Sequence, residues 1–193
     1  LLGVSMGRFL RIFASLFSSF CRTTVFILAV TFALSPSFAS TQINASGIKL
    51  EKEFQDWKVY SAMQDGQKIC YISSSPKRDP SSKAGSSKSC LMVTYISKII
   101  DEVSVTFGVK LKNSQPVVVS NDANKKYSMP VIEGEIAWAR DIETDKALID
   151  MMKSGRKILI KGQKSDGVSL KDTYSLIGFT KAYEKMREMC SPK

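Results

Sequence analysis

Two short runs pair serine with lysine. Ser74-Ser75-Pro76-Lys77 has the Ser-x-x-Lys spacing, and Lys153-Ser154-Gly155 sets a lysine beside serine and glycine. Both elements occur in penicillin-recognising enzymes, where a serine is acylated. That chemistry needs the Ser-x-x-Lys to open a buried helix, with the lysine aimed at the serine. Here the run lies in a polar, proline-bearing stretch. Lys153-Ser154-Gly155 falls where a helix is expected to end, a place that suits lysine and glycine without any reaction. The chain has no histidine, which removes Ser-His-Asp and Cys-His nucleophiles, histidine-bearing zinc sites and imidazole pH switches. There is also no phosphate-binding glycine loop and no Cys-x-x-Cys pair. No catalytic residue, cofactor or metal is therefore expected, and the protein is not expected to be an enzyme.

Asp141, Glu143, Asp145 and Asp150 crowd into ten residues, but they do not follow the calcium-loop template. Asp145, next to a candidate helix cap at Thr144, more simply complements the helix dipole. Trp57, Tyr71, Trp138, Tyr174, Phe179 and Tyr183 could form an exposed aromatic binding surface, yet in a strand-rich domain such residues are usually core.

These groups must be positioned by a mainly β chain. Phe54–Tyr60 and Lys68–Ile72 are strand-like, with Gln64-Asp65-Gly66-Gln67 supplying hairpin turn chemistry between them. Leu91–Ile96 follows, and then Glu102–Val109, whose Val103, Val105, Phe107 and Val109 alternate onto one face. Val117–Val119, Tyr127–Ile132, Ile136–Ala139, Lys157–Ile160 and Val168–Leu176 continue the pattern. Strands at this spacing, with Gly, Asn and Pro between them, suggest a β-sandwich. Two helices interrupt it. One is capped by Thr144, carries Ala147, Leu148, Met151 and Met152, and ends at Gly155. The other is capped by Thr180, with Ala182, Tyr183, Met186 and Cys190 along one side. Residues 73–89, rich in Ser, Lys and Pro, cannot repay their ordering entropy and are expected to form a long exposed loop.

The first 39 residues look like a signal peptide. Arg8, Arg11 and Arg22 precede the apolar run Val25–Leu34, which is shorter than the roughly 20 residues a bilayer span takes. Pro36 breaks the run, and Ser37-Phe38-Ala39 places small residues for cleavage before Ser40. Residues 40–51 are expected as a flexible N-terminal segment and 52–193 as one domain. The mature chain of about 154 residues is long enough to bury a core and has no expected transmembrane segment. Loss of three arginines lowers the formal charge of +10 but leaves the chain basic. Anionic partners are thereby favoured, although the basic residues are scattered and export argues against nucleic acid. Cys70, Cys90 and Cys190 remain, and in an oxidising compartment two of them should bridge. The sequence leaves all three pairings open.

The later blocks carry a resemblance. Ala137-Trp138-Ala139, Thr144–Ile149, Met151–Gly155, Ile158–Ile160, Gly167, Asp172-Thr173-Tyr174-Ser175-Leu176, Gly178–Ala182 and Cys190 resemble the invasion-associated locus B family, envelope proteins of alphaproteobacteria. Phe54–Val59 and Cys70-Tyr71 resemble its opening, and the similarity spans roughly residues 52–190. The resemblance implies an immunoglobulin-like β-sandwich with two short helices, the last C-terminal. It also implies location in the periplasm, at the outer membrane or outside the cell, and no established catalytic residue or cofactor. A Cys70–Cys190 disulfide is implied as well. Tyr60-Ser61 stands where many members place another cysteine, and Cys90, particular to this chain, is left outside the pair. The expected function is a non-enzymatic module binding an envelope or host-surface partner during invasion. The alternative is a periplasmic accessory factor for envelope integrity.

Overall fold

The computed structural model describes residues 47–64, 66–77 and 88–191. The expected signal peptide and residues 78–87 of the polar loop lie outside the described residues. In chain order the strands are β1 (Ile48–Phe54), β2 (Trp57–Gln64), β3 (Gln67–Ser74), β4 (Cys90–Tyr95), β5 (Asp101–Thr106), β6 (Val117–Asn121), β7 (Lys126–Met129), β8 (Val131–Glu133), β9 (Ile136–Trp138), β10 (Lys157–Gln163) and β11 (Ser169–Ser175). Helix α1 (Ile142–Ser154) lies between β9 and β10, and α2 (Phe179–Cys190) follows β11. Among the described residues no helix is long and apolar enough to cross a membrane.

All ladders are antiparallel. One sheet has the order β1-β2-β3-β4-β5-β9-β8 and the other β11-β10-β6-β7, so the domain is a mainly β sandwich with two helices, the last C-terminal. Register explains the shared core. Val59, Ile72, Val93 and Val103 are successive cross-strand partners, as are Leu91, Val105 and Ala137. Partners across a ladder share a face, so this inner face is continuously apolar. Val119 and Ile160 face it from the smaller sheet, and all these side chains belong to one buried cluster. Trp57 ties the layers together by donating its indole N–H to the Ser175 carbonyl at 3.0 Å.

Helix α2 buries Phe179, Ala182, Tyr183 and Met186, a spacing that puts one stripe against the sheet. Trp57 meets Phe179 edge to face at 4.9 Å between centroids, an arrangement that suits the ring quadrupoles.

Four expectations need correction. Strand β1 begins at Ile48, so residues 48–51, read as part of a free N-terminus, are sheet. Tyr127–Ile132 is two strands. Pro130 has no N–H to continue a ladder, and there the chain leaves β6 for β9 in the other sheet. Asp141, not Thr144, caps α1, accepting the Thr144 N–H at 2.8 Å. Gly178 takes the cap position of α2 with φ 95° and no side-chain cap, so Thr180 lies inside the first turn.

Candidate functional site

The serine–lysine runs are occupied otherwise. Ser74 is buried in β3 and donates to the Ser75 carbonyl. Lys77 gives its ammonium to Asp56 and its backbone N–H to the Thr173 carbonyl at 2.7 Å. The Lys77 and Ser175 hydrogen bonds hold the Asp56 carboxyl below its ordinary range. Lys153 ends α1 with its ammonium 4.4 Å from the Tyr183 ring centroid, a cation–π contact. Of the aromatics read as core, all six are buried.

The carboxylates do more than spacing suggests. Asp145 is buried against β5 and accepts the Val103 N–H at 2.9 Å. Burial, reinforced by the charges of Glu102, Asp141 and Asp101, pushes its pKa up to about 7. Asp101 accepts from the Tyr183 hydroxyl at 2.5 Å and pairs with Arg187, which also donates to the Lys98 carbonyl at 2.6 Å. Burial and then the Asp101 bond push the Tyr183 phenol up to about 12. The helix stripe was legible in the sequence, whereas this polar lock was not, because Asp101 and Arg187 lie 86 residues apart. Among the described residues no group of three His, Cys, Asp or Glu side chains could hold a metal.

Cys70 and Cys190 are joined, Cα atoms 5.9 Å apart, fastening the end of α2 to β3. Cys90 is buried and keeps its thiol.

A cleft of about 660 Å³ lies where β7 meets the start of α1. Lys126 and Tyr127 come from β7, Arg140, Asp141 and Thr144 from the helix entry, and Ser114 from the connection into β6. Two cations and several hydroxyls are in its lining. Hydrogen bonds from Thr144 hold the Asp141 carboxyl below its ordinary range, so its oxygen is engaged in capping. Lys126 and Arg140 in the lining supply the cations that an anionic group would pair with. No local motif announces it, since its walls are brought together only by the crossing at Pro130.

A family model described as invasion associated locus B (IalB) protein matches residues 57–187. The crystal structure of invasion associated protein B from Bartonella henselae is similar, with TM-score 0.55 and 16% identity over 72% of this chain and 95% of that one. At that identity the likeness concerns the fold. No curated protein matches.

Proposed function

The chain belongs to the invasion associated locus B family, and we propose that it is an exported, non-enzymatic envelope protein whose sandwich binds an anionic partner on the envelope or the host surface. The observation that carries this reading is the family match, which spans nearly the whole described domain. Two features support it. The Cys70–Cys190 bond suits an oxidising compartment, in keeping with the signal-like residues 1–39. The cleft carrying Lys126 and Arg140 suits an acidic group on a partner. The family's description as invasion associated is what makes host-cell contact the setting of this proposal.

The test joins location to phenotype. Intact cells are treated with a membrane-impermeant amine label and fractionated, and the mass of the recovered protein is measured. A deletion strain is scored for attachment to host cells and for detergent sensitivity. A chain beginning at Ser40, labelled from outside, with attachment lost on deletion and detergent resistance kept, is expected. A detergent-sensitive strain that attaches normally, with the protein unlabelled in the periplasm, would replace this reading by a periplasmic accessory role. Retention of residues 1–39 would remove the export argument.

A further inference from the structure

The smaller sheet ends in an edge beside the cleft. Among the described residues β7 pairs with β6 alone, so its other side carries no strand. The turn fixes which backbone groups point that way. The Asn121 N–H donates to the Lys125 carbonyl at 3.2 Å, which makes those two a hydrogen-bonded pair. In an antiparallel ladder such pairs alternate with non-hydrogen-bonded ones, whose N–H and C=O groups point away from the partner strand. Register then makes Val119 with Tyr127 and Val117 with Met129 the bonded pairs, and Ser120 with Lys126 and Val118 with Ser128 the others. Lys126 and Ser128 therefore each turn an N–H and a C=O away from β6.

Two other edges are guarded. On β1, Lys49, Glu51, Lys52 and Glu53 carry charge along the strand, and the register shifts between Leu50 and Lys52. On β11, the Lys77 N–H takes the Thr173 carbonyl. Charges, bulges and covering segments are the usual means of keeping an edge from pairing. The guard on β7 is cationic, Lys126 in the strand and Lys125 just before it. It repels a basic strand and attracts an acidic one.

Space and alternation agree with this. Lys126, Tyr127, Ser128 and Pro130 line the cleft together with Arg140 and Thr144 from the entry to α1. Lys126 and Ser128 are exposed, whereas Tyr127 is half-buried against the core and Met129 lies within it. A strand laid along this edge, about 4.8 Å from β7, sets alternate side chains beside Lys126 and Ser128. Its remaining side chains meet Tyr127 at the margin of the core.

We propose that the anionic partner of the cleft is an extended polypeptide segment alternating acidic and apolar residues, which adds to the free edge of β7 as a further strand of the smaller sheet. The proposal rests on the reading of the cleft as the seat of an anionic partner and gives that partner its form. Main-chain bonds to Lys126 and Ser128 hold the segment, and its side chains supply specificity. Its acids pair with Lys126 and Arg140, and its apolar residues extend the core past Tyr127. A sulfated glycan would use the same cations and leave the outward carbonyls to water.

The experiment titrates the full chain with a short blocked peptide alternating Glu and Val, and follows backbone amide hydrogen exchange residue by residue. At saturation the Lys126 and Ser128 amides are expected to exchange several-fold more slowly, while those of Tyr127 and Met129, already bonded to β6, stay as they were. Ser128→Pro removes one outward N–H where an edge strand tolerates proline. It should weaken the peptide about fivefold, as one main-chain hydrogen bond would, and leave binding of a polysulfated glycan unchanged. Lys126→Glu with Arg140→Glu should weaken both ligands. If Ser128→Pro does not fold, exchange in the parent chain decides alone. A bound peptide with Lys126 and Ser128 exchanging at their free rates overturns strand addition and leaves the cationic seat standing. Binding of the glycan without the peptide overturns it as well, and assigns the cleft to a glycan. Binding of neither removes the seat and the proposal together.

Discussion

Asp145 shows what a single buried carboxyl does to a domain held by apolar packing. Its folded-state pKa of about 7 stands well above the ordinary 3.8, chiefly because burial disfavours the charged form. Between those values the native state holds more protons than the unfolded chain, so stability falls as pH rises from about 4 to about 7 and the penalty is absent below that window. Asp145→Asn cannot ionise and can still accept the Val103 N–H. Relative to the parent it should gain on the order of 4 kcal/mol at pH 8 over its standing at pH 4. Urea unfolding at the two pH values measures this, and a difference flat with pH would mean that Asp145 is charged in the fold. Little of this is legible in the sequence. Asp145 reads there as a first-turn acid complementing the dipole, and its burial depends on the distant strand β5. The absence of histidine is the opposite case, a whole class of chemistry removed by composition alone.

At the scale of elements, α2 is held by a glycine at one end and a disulfide at the other. Gly178 has φ 95°, and a Cβ there would lie 1.9 Å from the Phe54 carbonyl oxygen. Gly178→Ala therefore meets an unfavourable dihedral and a backbone clash together. It should cost about 3 kcal/mol or more in thermal or urea unfolding, and a cost below 1 kcal/mol would show that β1 yields freely at that point. Cys190→Ser opens a closure with a sequence separation of 120. The chain-entropy view sets its cost near 5 kcal/mol, with 2–5 typical for native bonds. The measured loss should vanish when both chains are compared under reducing conditions. Strand and helix positions follow from alternation and 3.6-residue spacing, so most elements were visible before any coordinates. The caps were less so, because Asp141 and Thr144 are both acceptable capping residues and the helix start decides between them. Tyr127–Ile132 reads as strand straight through Pro130, although a proline cannot continue a ladder, and nothing local says that the chain changes sheets there.

For the whole molecule, a mainly β sandwich follows from evenly spaced strands, and the resemblance in Asp172–Leu176 and Gly178–Ala182 supplies what spacing cannot. Legibility ends where surfaces are assembled from distant segments, and the cleft beside α1 is such a surface. The basic residues are scattered in sequence, which argues for a diffuse cationic coat, but folding brings Lys126 and Arg140 into the lining of one cleft. The two possibilities differ measurably. A diffuse coat responds to net charge wherever it is changed, while a seat responds to place. The Lys126→Glu, Arg140→Glu double variant should weaken binding of residues 40–193 to an immobilised polysulfated glycan about tenfold, as two exposed pairs at up to about 1 kcal/mol each would give. The control is Lys161→Glu with Lys171→Glu, exposed cross-strand partners on the outer face of the small sheet. It changes net charge equally and should weaken binding less than threefold if each loss is about 0.3 kcal/mol. Binding should fall as salt shortens the screening length below about 10 Å above 0.1 M. Equal losses in the two variants would assign binding to the overall charge and leave the cleft without a role in it.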